Sequence, residues 1–250
     1  GATPSGTSIY LRRLAVDLDF HKVGGSDGAQ ITPGFSPDNQ WLVFRRTMSG
    51  EMTKVSVNGG GAVVLARIQG PFGNFPHWGP NDQIFYSGGP GGLLRISAAG
   101  TGTPEPVRGS RGTTRYAFVL PDGSGVLTSR PNGIFLVDFK SDSAIRLLPQ
   151  GTHPVYAESG HILYIAEGGG LFAVAFDLKR HQVTGAPVRV LEGIASGLDH
   201  RGFSVSRNGT LVYHEGRSTL GDAPGNPTSL ILGNFNGKIE TIRLPYTHKL

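Results

Sequence analysis

The sequence predicts an all-β chain folded as a β-propeller of four-stranded blades. Three observations carry this prediction. One short motif recurs five times, about forty to fifty residues apart. Each copy is followed by a second hairpin of alternating apolar and polar residues. The composition is rich in turn formers and poor in charge, with 39 glycines and 17 prolines in 250 residues and only 16% Asp, Glu, Lys and Arg. A long-helix protein would carry more Glu, Lys and Ala, so this balance fits many short strands joined by tight turns.

The motif is a Pro or small residue, an aromatic or Val, a turn, then an apolar strand. It reads "TPGFSPDNQWLVF" from Thr32, "FPHWGPNDQIFY" from Phe75 and "YAFVLPDGSGVLTS" from Tyr116. It returns as "HPVYAESGHILYI" from His153 and "GFSVSRNGTLVY" from Gly202. The turn cores are Pro37-Asp38-Asn39, Pro80-Asn81-Asp82, Pro121-Asp122-Gly123, Ser159-Gly160 and Asn208-Gly209. These residues form tight turns between paired strands, and an Asp there caps its own backbone. The second hairpins are "MTKVSVNGGGAVVL", "LLRISAAGTGTPEPV", "IFLVDFKSDSAIRLL", "LFAVAFDLKRHQVTGAPVRVL" and "SLILGNFNGKIETIRL". Each unit is therefore four strands, A-B then C-D, which makes one blade. A β-sandwich would not repeat one turn motif five times.

The stretch "SIYLRRLAVDLDFHKV" near the N-terminus reads as a C-D hairpin with no A-B pair before it. Residues 1–250 are then a single propeller domain of five A-B-C-D blades plus that hairpin, by this count an incomplete six-bladed ring. An open strand edge invites pairing. The expectation is a homodimer across the gap, or a ring distorted to close with fewer strands.

Composition excludes several function classes. There is no cysteine, so disulfides, thiolate metal sites and cysteine nucleophiles are absent. No apolar run is long enough for a membrane-spanning helix, and no basic-then-apolar signal opens the sequence. The net charge is +5, but the basic residues stand singly or in pairs such as Arg12-Arg13 and Arg45-Arg46. A nucleic-acid groove would cluster them with interleaved aromatics, so no nucleic-acid partner is expected. The glycine clusters at Gly59-Gly60-Gly61, Gly88-Gly89 and Gly168-Gly169-Gly170 read as hairpin turns, because no helix follows to complete a phosphate loop. "GFSVS" at Gly202 has the wrong spacing for a nucleophile elbow.

At "FSPDNQWLVF" the chain resembles the TolB-like propellers, and more closely those appended to bacterial serine/threonine kinases. The resemblance spans nearly the whole chain, including "SGHILY" leading into "LFAVAFDLKRHQVTGAPVRVL". It implies a six-bladed ring used as an extracytoplasmic or periplasmic sensor or protein-binding platform. The kinase signatures themselves are absent.

Propellers take ligands at a central channel lined by strand A. The repeats align on a column of Pro33, Pro76, Ala117, Pro154 and Phe203. Residues one and three before the column and one after it share a strand face, since strand side chains alternate. That face carries Gln30, Thr32, Phe75, Tyr116 and Ser204 as channel-lining residues, together with His77, His153 and His200. The opposite face carries Phe35, Trp78, Val119, Tyr156 and Val205, a bulky column suited to the core between blades. Three histidines facing one channel could hold a divalent metal such as zinc, leaving a position for an activated water. Asp199, beside His200, could act as base or orient a ligand. Among the remaining histidines, His161 sits where Gln40 and Gln83 stand in other copies and reads as structural.

Two functions follow. One is a non-catalytic propeller binding a protein or small molecule in its channel. The other is a metal-dependent hydrolase of esters or phosphoesters using the His-lined site. No complete catalytic signature decides for the enzyme, and a propeller hosts either.

Overall fold

The computed structural model describes residues 7–14, 16–17, 19–29, 33–46, 48–68, 76–100, 102–166, 168–194, 202–213, 229–233 and 239–243. These residues are all-β apart from two single turns of 3-10 helix, at Pro80–Asp82 and Gly89–Gly91. A two-stranded sheet comes first, β1 (Tyr10–Leu11) with β2 (His21–Lys22). Sheet I is β3 (Gly34–Phe35), β4 (Trp41–Arg45), β5 (Glu51–Ser56) and β6 (Val63–Arg67). Sheet II is β7 (His77–Trp78), β8 (Gln83–Ser87), β9 (Leu93–Ser97) and β10 (Glu105–Pro106). Sheet III is β11 (Arg115–Val119), β12 (Gly125–Arg130), β13 (Gly133–Asp138) and β14 (Ser143–Leu148). Sheet IV is β15 (Thr152–Ala157), β16 (His161–Ile165), β17 (Leu171–Asp177) and an outer strand in two pieces, β18 (Gln182–Val183) and β19 (Val188–Leu191), both paired to β17. Sheet V is β20 (Phe203–Val205), β21 (Leu211–Tyr213), β22 (Ser229–Gly233) and β23 (Ile239–Arg243). Each sheet follows chain order from strand A to strand D, as the repeat predicts, and the N-terminal hairpin is two-stranded.

The A-B turns show why the same residue types recur. In sheet I the Gln40 amide donates to Asp38 Oδ1 at 3.0 Å and the Trp41 amide to Ser36 Oγ at 2.9 Å. In sheet III the Ser124 amide donates to Asp122 Oδ1 at 3.0 Å, and in sheet V the Thr210 amide donates to Ser206 Oγ at 2.9 Å. The turn then needs one left-handed residue, filled by Asn39 (φ 59°), Gly123 (φ 70°), Gly160 (φ 78°) and Gly209 (φ 84°). Asn and Gly pay least for that conformation. Asp82 departs from the expected backbone cap: its Oδ1 accepts from Trp78 Nε1 at 3.3 Å.

The chain packs as two compact units, residues 1–126 with 137–144, and residues 127–136 with 145–250. In the first, side chains from one sheet interleave with those of the next. Val43, Met52 and Leu65 of sheet I pack with Trp78, Ile84, Tyr86 and Ile96 of sheet II. Phe85, Leu93 and Val107 of sheet II pack with Ala117, Val119, Val126 and Val137 of sheet III. Because strand side chains alternate, one face of a sheet meets its predecessor and the other its successor. In the second unit the buried residues again alternate along strands, as Ile162 and Tyr164 do on β16 and Val174 and Phe176 on β17.

A tyrosine hydroxyl in the core lacks compensation. Tyr86 is fully buried, and its hydroxyl has no hydrogen-bond partner among the described residues. Burial pushes that hydroxyl's pKa up, since the phenolate would be desolvated. Tyr86→Phe keeps the ring and deletes the uncompensated oxygen. It is expected to raise unfolding free energy by about 1 kcal/mol in urea melts; a loss of similar size would show that the hydroxyl is bonded in solution.

Candidate functional site

The predicted site lies on strand A of successive sheets. In sheet II, β7 is two residues long and pairs His77 with Phe85 and Trp78 with Ile84. Trp78 enters the core, so alternation turns His77 to the other face, where it is half-buried. There the Val119 amide of β11 donates to His77 Nδ1 at 3.2 Å, and the imidazole lies 4.4 Å from the Phe118 ring. His77 therefore ties strand A of sheet II to strand A of sheet III. Accepting at Nδ1 assigns the proton of the neutral ring to Nε2.

A second tie joins the same two sheets. Ser87, ending β8, donates from Oγ to the Thr114 carbonyl at 2.6 Å and accepts from the Gly89 amide at 3.2 Å. The equivalent position of sheet III is Ser129, whose Oγ lies 3.4 Å from Thr152 Oγ1 at the start of β15.

Tyr116 and His153 occupy the same place in their repeats, and both are left-handed, at φ 56° and 55°. Both are also buried, 2% and 3% exposed. Strict alternation holds only for extended backbone. At His153 the β15–β16 register slips between Thr152 and Val155. A residue in the left-handed region does not share a face with the residue two further on, so these two side chains are buried while His77 and Phe118 remain half-exposed. Ser204 is exposed on β20. Gln30, Thr32, Phe75, Asp199 and His200 lie outside the described residues. On the opposite face, Trp78 and Val119 are buried as expected, whereas Phe35 is exposed.

Arginine and histidine side chains elsewhere in these sheets are held by local structure. Arg130, ending β12, stacks its guanidinium 4.7 Å from the Phe135 ring, and desolvation lowers its pKa. His161 Nδ1 sits 2.9 Å from the Ser159 carbonyl in its own turn. His181 stacks on Phe176 with 6.5 Å between ring centroids. Among the described residues no three His, Cys, Asp or Glu side chains gather to hold a metal ion.

Sequence reasoning passed over two features that the repeat alignment could have found. One is the strand-B serine pair, Ser87 and Ser129. The other is a glycine entering strand C in four sheets, at Gly50, Gly92, Gly133 and Gly170. A Cβ at Gly50 would fall 2.7 Å from the Ile68 carbonyl oxygen, at Gly92 2.4 Å from that of Ser110, and at Gly133 2.1 Å from that of Leu148. These glycines let the end of strand D close onto the start of strand C.

No family model and no curated protein matches the chain. Solved structures do. TolB from Acinetobacter baumannii is 16% identical with a TM-score of 0.65, over 90% of this chain and 56% of its own. A structure of the nidogen/laminin complex is 13% identical with a TM-score of 0.61, over 90% of this chain and 84% of its own. XC5397 from Xanthomonas campestris, described as a gluconolactonase, is 14% identical with a TM-score of 0.60, over 86% of this chain and 76% of its own. This chain spans little more than half the length of Acinetobacter TolB. At these identities the likeness is one of fold, and with the five four-stranded sheets it makes the chain a β-propeller of five complete blades preceded by a two-stranded hairpin.

Proposed function

We propose that the chain is a non-catalytic binding propeller, a sensor or protein-interaction module. The observation that carries this reading is the Val119 amide bonded to His77 Nδ1. The imidazole expected to ligate a metal spends its lone pair on the backbone, and a metal needs that lone pair. The likeness to TolB and to a propeller seen in a complex of two proteins supports the same reading. In it, a protein or small molecule meets the strand-A face to which the repeat alignment assigns Gln30, Thr32, Phe75 and Ser204; Tyr116, assigned to the same face by that alignment, is buried and does not present its side chain there. An extracytoplasmic location, and attachment to a kinase in a longer protein, belong to this proposal through the sequence motif alone.

A second reading is a zinc-type hydrolase with His77, His153 and His200 as ligands and Asp199 as base. The observation that favours it is the left-handed backbone at the buried His153, since strained residues persist where their surroundings hold them and gather at functional sites. XC5397, described as a gluconolactonase, shares the fold.

Elemental analysis of the untagged protein separates the two. The binding reading expects no bound transition metal and none retained after zinc is added and dialysed away. Near-stoichiometric metal, abolished by His77→Ala and by His153→Ala, would favour the hydrolase instead and call for a screen of ester and phosphoester substrates. On the binding reading His77→Ala acts on the fold alone: it strands the Val119 amide and lowers stability by roughly 1–2 kcal/mol.

A further inference from the structure

One connecting loop occurs twice in the first unit with the same backbone. It reads Val-x-Gly-Ser-x-Gly, at residues 23–28 after β2 and at residues 107–112 after β10. In each copy the serine amide donates to the valine carbonyl at 3.2 Å. The serine hydroxyl donates to that carbonyl as well, at 2.7 Å from Ser26 and 2.6 Å from Ser110. The same oxygen accepts the Ile9 amide at 3.0 Å in one copy and the Leu93 amide at 2.9 Å in the other. Both glycines of each copy are left-handed, Gly25 (φ 83°) with Gly28 (φ 74°), and Gly109 (φ 74°) with Gly112 (φ 101°).

The two copies differ at their variable positions, which are Gly24 and Asp27 in the first and Arg108 and Arg111 in the second. Asp27 is neutralised by Lys22 of β2 at 2.6 Å. The first copy forms without either arginine, so the backbone does not require them. Arg111 is exposed, and its side chain makes no hydrogen bond or ion pair among the described residues. Arg108 Nη1 lies 3.4 Å from Asp142 Oδ2 with both groups exposed. Exposed pairs contribute little, so a ligand carboxylate can displace this one. No Asp or Glu stands between Glu105 and Asp122, and Arg115 adds a third arginine where the loop enters β11.

We propose that this second loop is a contact surface for an acidic segment of a partner protein, with Arg108 and Arg111 meeting its carboxylates. The planar guanidinium fork matches a carboxylate bidentately. The turn and the Ser110 bonds hold the loop before any contact is made, so little backbone order is lost on binding. A nucleic acid fits less well, because residues 107–115 hold no aromatic side chain on which a base could stack. This contact does not depend on what meets the strand-A face.

The test uses the full 250-residue chain and fluorescein-labelled hexaglutamate. Fluorescence anisotropy at low ionic strength should show saturable binding that weakens as salt is added. Arg111→Asp should weaken it about tenfold, and adding Arg108→Gly should weaken it further. These changes install the residues of the first copy, so the loop keeps its backbone, and circular dichroism and the urea midpoint should not move. Arg207→Asp, at an exposed arginine in the A-B turn of sheet V, makes the same charge change as Arg111→Asp and should alter binding less than about twofold. Absence of saturable binding would overturn the proposal. Equal weakening by Arg111→Asp and Arg207→Asp would overturn it too, since net charge alone would then be acting. Tighter binding of a single-stranded DNA hexamer, lost on Arg111→Asp, would replace the acidic segment with a nucleic acid.

Discussion

Gly133→Ala is expected to cost about 3 kcal/mol or more of stability. Gly133 opens β13 at φ 128°, where side chains are strained, and a Cβ would sit 2.1 Å from the Leu148 carbonyl oxygen and 2.9 Å from the Pro149 carbonyl carbon. Those neighbours are backbone, so no rotamer change relieves the contact. The outer strand would have to lift from β13 where the sheet closes. Gly160→Ala separates this clash from conformational strain. Gly160 is also left-handed, at φ 78°, but nothing lies within 4 Å of its Cβ position. It should lose about 1 kcal/mol. Urea denaturation followed by far-ultraviolet circular dichroism measures both. Equal losses would mean that the close approach of β13 and β14 is absent in solution.

Phe44→Ala should cost about 3–4 kcal/mol. Phe44 is fully buried on β4, in the layer it shares with Ile9, Val23, Leu42 and Val55, and the Arg46 guanidinium lies 5.7 Å from its ring. Truncation opens a cavity between sheet I and the N-terminal hairpin. Phe35→Ala, on the neighbouring strand and half-exposed, should cost under about 1 kcal/mol. Trp41 and Trp78 are the chain's two tryptophans, and both lie in sheets I and II, so their fluorescence reports this region directly. Similar costs for the two phenylalanines would contradict the layer arrangement.

The legible part of the site was its strand assignment. The turn residues around Asp38, Asp122 and Asn208 are chemistry local to four or five residues, and they appear as read. His77 stands on strand A beside a buried Trp78, also as read. Tyr116 and His153 are different. Nothing within their own strands announces the left-handed backbone that breaks alternation there, because residues other than glycine rarely adopt it. The same limit applied to His77 Nδ1, whose partner amide stands 42 residues further along the chain.

By itself the sequence determined the blade: its four strands, their order, the turn between A and B, and the extra hairpin at the N-terminus. Alternation, turn propensity and glycine placement act over a few residues, and five copies of one pattern multiply the signal. The tertiary structure alone decided which residues of the strand-A face are buried and which imidazole nitrogen bears a proton. It also decided which glycines admit no side chain and which aromatic is left uncovered. Each of these depends on what an adjacent sheet brings to within a few ångströms. Phe35 and Trp78 make the point: they hold equivalent places in the repeat, yet one is exposed and the other buried. Trp78 belongs to the cluster of buried residues shared by sheets I and II, and Phe35 does not belong to the one that joins sheet I to the N-terminal hairpin.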